Sequence, residues 1–92
     1  MRRLRYLAQN YFHQDWDLDA PTPVGVLEVF RKEETPGSVA ELRTEIQAIL
    51  GTDPSESVLR DTWNRAGADW DPEVTKWGTY REWFDAMLTT VS

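Results

Sequence analysis

The sequence predicts an all-α protein, a small single-domain bundle of about five helices, and three observations point to it. Apolar residues recur at three- and four-residue spacing along most of the chain and alternate nowhere for long. Capping residues stand before these runs, and glycine or proline stands after several of them. Ninety-two residues with no cysteine make one domain, 1–92, with one core and no disulfide framework.

The first helix is expected over about residues 2–13, where Leu4, Leu7, Ala8, Tyr11 and Phe12 share a face. Thr22-Pro23 then reads as an N-cap followed by proline at the first helical position, where its missing N–H does no harm. The second helix runs to about Lys32 with Val26, Leu27, Val29 and Phe30 available for burial, and Gly25 weakens it. Thr35-Pro36-Gly37 breaks the chain, and Ser38 with Glu41 three residues on has the form of a capping box. The third helix extends to about Leu50, buries Leu42, Ile46, Ile49 and Leu50, and meets Gly51, which suits a left-handed stop. Asp53-Pro54-Ser55-Glu56 caps a fourth helix that turns Leu59, Thr62, Trp63 and Ala66 inward and ends at Gly67. After the loop ADWDPEVTKWG, Thr79 and Glu82 open a fifth helix with an inward stripe of Trp83, Phe84, Met87, Leu88 and Val91.

Charge is distributed unevenly. Residues 1–12 carry three arginines and no acid, whereas residues 13–92 carry all sixteen carboxylates against seven Lys and Arg, a balance of −9. A body this acidic is unsuited to phosphate backbones, so nucleic acid is excluded as a partner. It suits a basic protein, whose approach it accelerates through long-range attraction. The opening MRRLRYLAQNYF has no uninterrupted apolar run, and no stretch approaches the roughly 18 apolar residues of a membrane span. The expectation is a cytoplasmic protein with no membrane partner.

The densest concentration of chemistry is YFHQDWDLDAP, Tyr11 to Pro21. Asp15, Asp17 and Asp19 occupy positions 1, 3 and 5 of a would-be calcium loop. Ala20 stands where that loop needs glycine and Val26 where it needs glutamate, with Pro21 and Pro23 inside. Zinc has only His13-x-Asp15 to begin from and no cysteine to finish with. No metal and no cofactor is therefore expected, and His13 reads as a side chain that caps or packs a helix end. His13 near Asp15 or Asp17 lacks a serine or threonine in a nucleophile context, so catalysis is not expected either. Trp63 and Trp83 fall on inward faces, while Trp16, Trp70 and Trp77 fall in loops. A loop tryptophan either plugs the end of the bundle or stands as an anchor ringed by carboxylates, the composition of a hot spot for a cationic partner.

Several segments in order, YFHQDWDLD, ELRTEIQAIL, Ser55-Glu56, a Gly-x-x-Trp-x-Pro loop and TYREWFDAML, give the chain a resemblance to the CdiI-type immunity proteins of contact-dependent growth inhibition and related polymorphic-toxin systems. The likeness spans nearly the whole chain, and Tyr11 to Asp17 is its most specific part. At Trp70 the family commonly has tyrosine and at Phe84 leucine, swaps that keep bulk. The resemblance implies a cytoplasmic inhibitor, not an enzyme, that binds the C-terminal toxin domain of a cognate effector. Many such toxins cleave nucleic acid and must present a positive cleft, which an acidic inhibitor can fill or flank. The alternative is an acidic helical interaction or regulatory module with no toxin partner.

Candidate toxin-binding residues are Asp15, Trp16, Asp17 and Asp19, then Glu28, Asp69 and Asp71. A strict up-down bundle would put the two Asp-Trp-Asp loops at opposite ends, leaving Glu28, Glu33 and Glu34 as companions of the first. The free protein is expected to be a monomer.

Overall fold

The computed structural model describes residues 1–92. Five helices carry the fold: α1 (Arg2–Tyr11), α2 (Pro23–Glu33), α3 (Pro36–Leu50), α4 (Glu56–Ala66) and α5 (Tyr80–Val91), with a 3-10 turn at Trp16–Leu18. There are no strands. One core cluster of 21 buried residues draws on every helix, and no polar or charged residue is buried in it. Each fully buried large apolar side chain contributes about 1.5–3 kcal/mol. Both α1 and α5 pack against α2, α3 and α4.

The caps show why the helices begin where they do. Thr22 accepts from the Gly25 N–H at 3.0 Å ahead of Pro23, and Ser55 accepts from the Val58 N–H at 3.3 Å. Thr79 accepts from the Glu82 N–H, and Glu82 Oε1 accepts in return from the Thr79 N–H at 2.9 Å, a complete capping box. Two helices are also started by carboxylates from elsewhere. Glu45 on α3 accepts from the Arg3 and Leu4 amides at 2.9 Å, where Met1 provides no side-chain cap. Glu56 on α4 accepts from the Tyr80 and Arg81 amides at 2.9 and 2.8 Å. Every orphan amide in the first turn of α5 is therefore satisfied, and the negative charges sit at the positive ends of their helices.

Several expectations need correction. The first helix stops at Tyr11 rather than 13, so His13 lies beyond it. The third begins at Pro36: its cap is Thr35, which accepts from the Ser38 N–H at 3.1 Å, so Thr35-Pro36 repeats the Thr22-Pro23 device and Ser38 is already in the helix. Gly51 is right-handed, at φ −64°, because the chain winds on through bonds from Thr52 to Ile49 and Asp53 to Leu50; the left-handed residue is Asp53, at φ 52°. Gly67 ends α4 as expected, and it is this glycine, at φ 97°, that makes a left-handed stop. Thr62 and Leu88 are only half-buried, Thr62 donating its hydroxyl to the Val58 carbonyl, whereas Tyr80 joins the buried face of α5. Gly25 weakens α2 for a reason. A Cβ there would stand 3.0 Å from both Ala20 Cβ and Thr22 Oγ1, so the preceding loop could not pack onto the helix's first turn.

The two Asp-Trp-Asp loops do not lie at opposite ends. The C-terminal ends of α1 and α4 come together, with Gln9 Nε2 donating to the Ala66 carbonyl at 3.3 Å. Beyond them the Asp69 N–H donates to the Phe12 carbonyl at 2.7 Å. The bundle is not a strict up-down one, and that topology brings the two loops to one end.

Candidate functional site

The joined loops, residues 12–22 and 67–79, are built on aromatic rings. Phe12 at the end of α1 packs its ring 5.2–5.8 Å from those of Trp63, Trp70 and Trp83. Trp70 continues the stack, 4.6 Å from Trp83, 6.0 Å from Trp77 and 6.2 Å from Trp16. All five tryptophans thus belong to one network, mostly edge-to-face, the arrangement aromatic quadrupoles favour. Trp63, Trp70 and Trp83 are buried, and Trp63 Nε1 donates to the Trp70 carbonyl at 2.8 Å. The Trp83 indole N–H is buried without a hydrogen-bond acceptor, in a ring that packs against Trp63 and Trp77. Trp16 is half-buried and Trp77 is 36% exposed, so these two rings form the rim. Sequence reasoning places both in loops but gives no measure of how far each is open.

On this foundation the first loop is a run of tight turns: Trp16 N–H to the His13 carbonyl, Leu18 to Asp15, Asp19 to Trp16. His13 works inside it. Its Nδ1 accepts from the Asp15 N–H at 3.0 Å, and its Nε2 lies 3.9 Å from the Asp19 carboxylate. The ring therefore braces the loop from an amide to a carboxylate, where capping of helix carbonyls or ring packing was expected. The Asp15 and Asp17 carboxylates are exposed and take no hydrogen bond or ion pair within the chain, and the same holds for Asp69. No three His, Asp or Glu side chains converge as a metal site would need.

Asp71 is different. Its Oδ1 accepts from the Glu73 and Val74 amides at 2.9 Å each, and its Oδ2 accepts from the Tyr80 hydroxyl. Burial alone would raise its carboxyl, but the Tyr80 hydroxyl and the two amides outweigh that, so it sits below the ordinary value. Burial and the same bond to Asp71 push the Tyr80 phenol well above the ordinary tyrosine range. This aspartate organises its own loop and is half-buried.

The remaining acids lie elsewhere. Glu28 lines a groove between α2 and α5 together with Arg31, Lys32, Thr89 and Thr90. Glu34 accepts from the Tyr6 and Tyr11 hydroxyls at 3.0 and 2.7 Å; that bond lifts the Tyr6 phenol, burial and then the bond lift that of Tyr11, and the carboxylate is engaged in the fold. The structure therefore unites Asp15, Trp16, Asp17, Asp19, Asp69 and Asp71 at one end and leaves Glu28 apart. It adds three side chains that charge reasoning passed over: Leu18 and Val74, 81% and 80% exposed, and the rim ring of Trp77. The available signal was an isolated apolar residue inside a polar loop, which single-sequence patterns do not separate from chance.

No helix is long and apolar enough to cross a membrane. No curated protein matches the chain. One solved structure, described as the crystal structure of a CdiA-CT/CdiI complex from Y. kristensenii 33638, contains a chain that superposes with a TM-score of 0.88 at 21% identity, over 99% of this chain and 97% of that one. At that identity the likeness establishes the fold. The family model described as CdiI immunity protein matches residues 1–91, and the chain belongs to the CdiI immunity protein family.

Proposed function

We propose that this immunity protein neutralises the C-terminal toxin domain of its cognate effector by binding it directly, that the joined-loop end is the binding surface, and that the toxin is a nuclease. The observation that carries the reading is the set of exposed aspartates at that end, Asp15, Asp17 and Asp69, whose carboxylates have no partner within the chain, with Asp19 beside them against His13. Carboxylates that the fold does not use are free to pair with cations on another molecule, and a nuclease must carry cations to hold phosphate. The likeness to a chain from a CdiA-CT/CdiI complex supports a toxin domain as partner. Asp71 contributes by shaping the second loop, and Glu28 lies outside the surface.

Asp15, Asp17 and Asp19→Asn together should leave the helical circular dichroism unchanged and weaken binding to the toxin domain encoded beside this chain. Loss of one desolvated interfacial charge commonly costs about 2–5 kcal/mol. Unchanged affinity in a calorimetric titration would remove the first loop from the interface. Co-expression with that toxin domain should rescue growth and co-purify the pair, and a nucleic-acid cleavage assay on the toxin decides the nuclease reading.

A further inference from the structure

Five large apolar side chains stand open to solvent: Met1, Leu18, Val58, Val74 and Trp77. Leu18 and Val74 are the most open, and both stand on the joined loops. A lone exposed leucine needs no explanation. These two differ because each stands on a backbone turn closed by hydrogen bonds. Leu18 closes the 3-10 turn whose Trp16 ring packs on Trp70, and its own N–H donates to the Asp15 carbonyl at 3.0 Å. Val74 rides the turn that Asp71 organises, its N–H donating to that carboxylate while the Thr75 hydroxyl donates to the Asp71 carbonyl at 2.7 Å. An apolar side chain on a backbone already held in place leaves only its own rotamers to be ordered on docking, which makes it an efficient anchor.

Charge identifies the occupant. Asp17 and Asp19 flank Leu18, and Glu73 precedes Val74. A membrane or a generally apolar surface would be repelled or poorly matched by such a rim, whereas a cationic protein surface with apolar recesses fits both features. Resting on the function proposed above, we infer that Leu18 and Val74 are the apolar anchors of the toxin contact, each seated in a recess on the toxin domain, and that they set the lifetime of the complex.

The test uses the purified full chain and the toxin domain encoded beside it, with association and dissociation rates measured separately. Leu18→Asn and Val74→Asn should each raise the dissociation rate by about tenfold or more, while association changes by no more than about twofold. Val58→Asn, on the exposed face of α4, should change neither. Melting temperatures should stay at the parent value, because neither anchor is buried. Dissociation at the parent rate in both loop variants overturns the anchors, and so does a lowered melting temperature that accounts for the faster release. The triple aspartate variant, run alongside, separates the two ideas. If it alone binds weakly, the surface stands and the anchors fall; if it too binds like the parent, the surface itself is wrong.

Discussion

Asp-Trp-Asp occurs twice in this chain, and the two copies stand in opposite surroundings. In Asp69-Trp70-Asp71 the ring is buried among Phe12, Trp16, Trp77 and Trp83, and the second carboxylate is occupied by two amides and a phenol. In Asp15-Trp16-Asp17 the ring is half open and stacks on Trp70 alone, and both carboxylates are unpartnered. The difference lies in what the fold brings to each. Pro72 lies in the turn whose next two amides face Asp71, and α5 delivers Tyr80 from nine residues beyond that aspartate. Asp17 lies inside a short turn to which no donor is delivered. The surroundings of a short motif are decided by the donors and rings placed around it, and identical tripeptides can be absorbed into packing in one place and left with free carboxylates in the other.

Truncating both rings tests that contrast most severely. Trp70→Ala should cost about 3–5 kcal/mol in a denaturant titration, as loss of a buried tryptophan does. Trp16→Ala should cost about half of that or less, in proportion to its partial burial. Equal losses would mean that the first copy is as structural as the second. The carboxylates come next. Asp71→Ala leaves a phenol and two amides short of an acceptor and should cost about 1–3 kcal/mol, whereas Asp17→Asn should stay within about 0.5 kcal/mol of the parent.

Acid sharpens the same point. A carboxyl held below its ordinary value of 3.8 in the folded chain contributes stability that is complete above that value and disappears as pH falls through the folded one. The parent should therefore lose stability below about pH 4 more steeply than Asp71→Asn does, in melts taken across that range. Parallel acid limbs would show that Asp71 is not the group responsible. The smallest effect concerns approach. Association with the toxin domain should slow a few-fold as added salt shortens the screening length from about 10 Å towards about 3 Å. That dependence should flatten when Asp15, Asp17 and Asp19 are all asparagine.

Much of the fold was legible because most of the helices carry their own start signals. Thr22 before Pro23, Ser55 before Glu56 and Thr79 with Glu82 are local devices, and each is in place. At the third helix two local signals compete three residues apart. The proline at Pro36 decides between them, since it fits the first helical position and needs no N–H there. What local reading could not supply is everything settled across the chain. The union of the two loops depends on Asp69 meeting Phe12 and Gln9 meeting Ala66. Which aspartates are free depends on Tyr80 reaching one of them, and all the acids look alike until those donors are placed. The site was therefore legible as a composition but not as a surface, and Leu18 and Val74 emerged only from exposure.

Glu45 and Glu56 complete helices to which they do not belong. The first turn of α1 is closed by a carboxylate up to 42 residues downstream, and α5 starts on one from α4. Until α3 has formed and docked, the first turn of α1 is therefore left with open amides. Fragments ending before residue 45 should fray at the start of α1, where an intact bundle holds that turn closed.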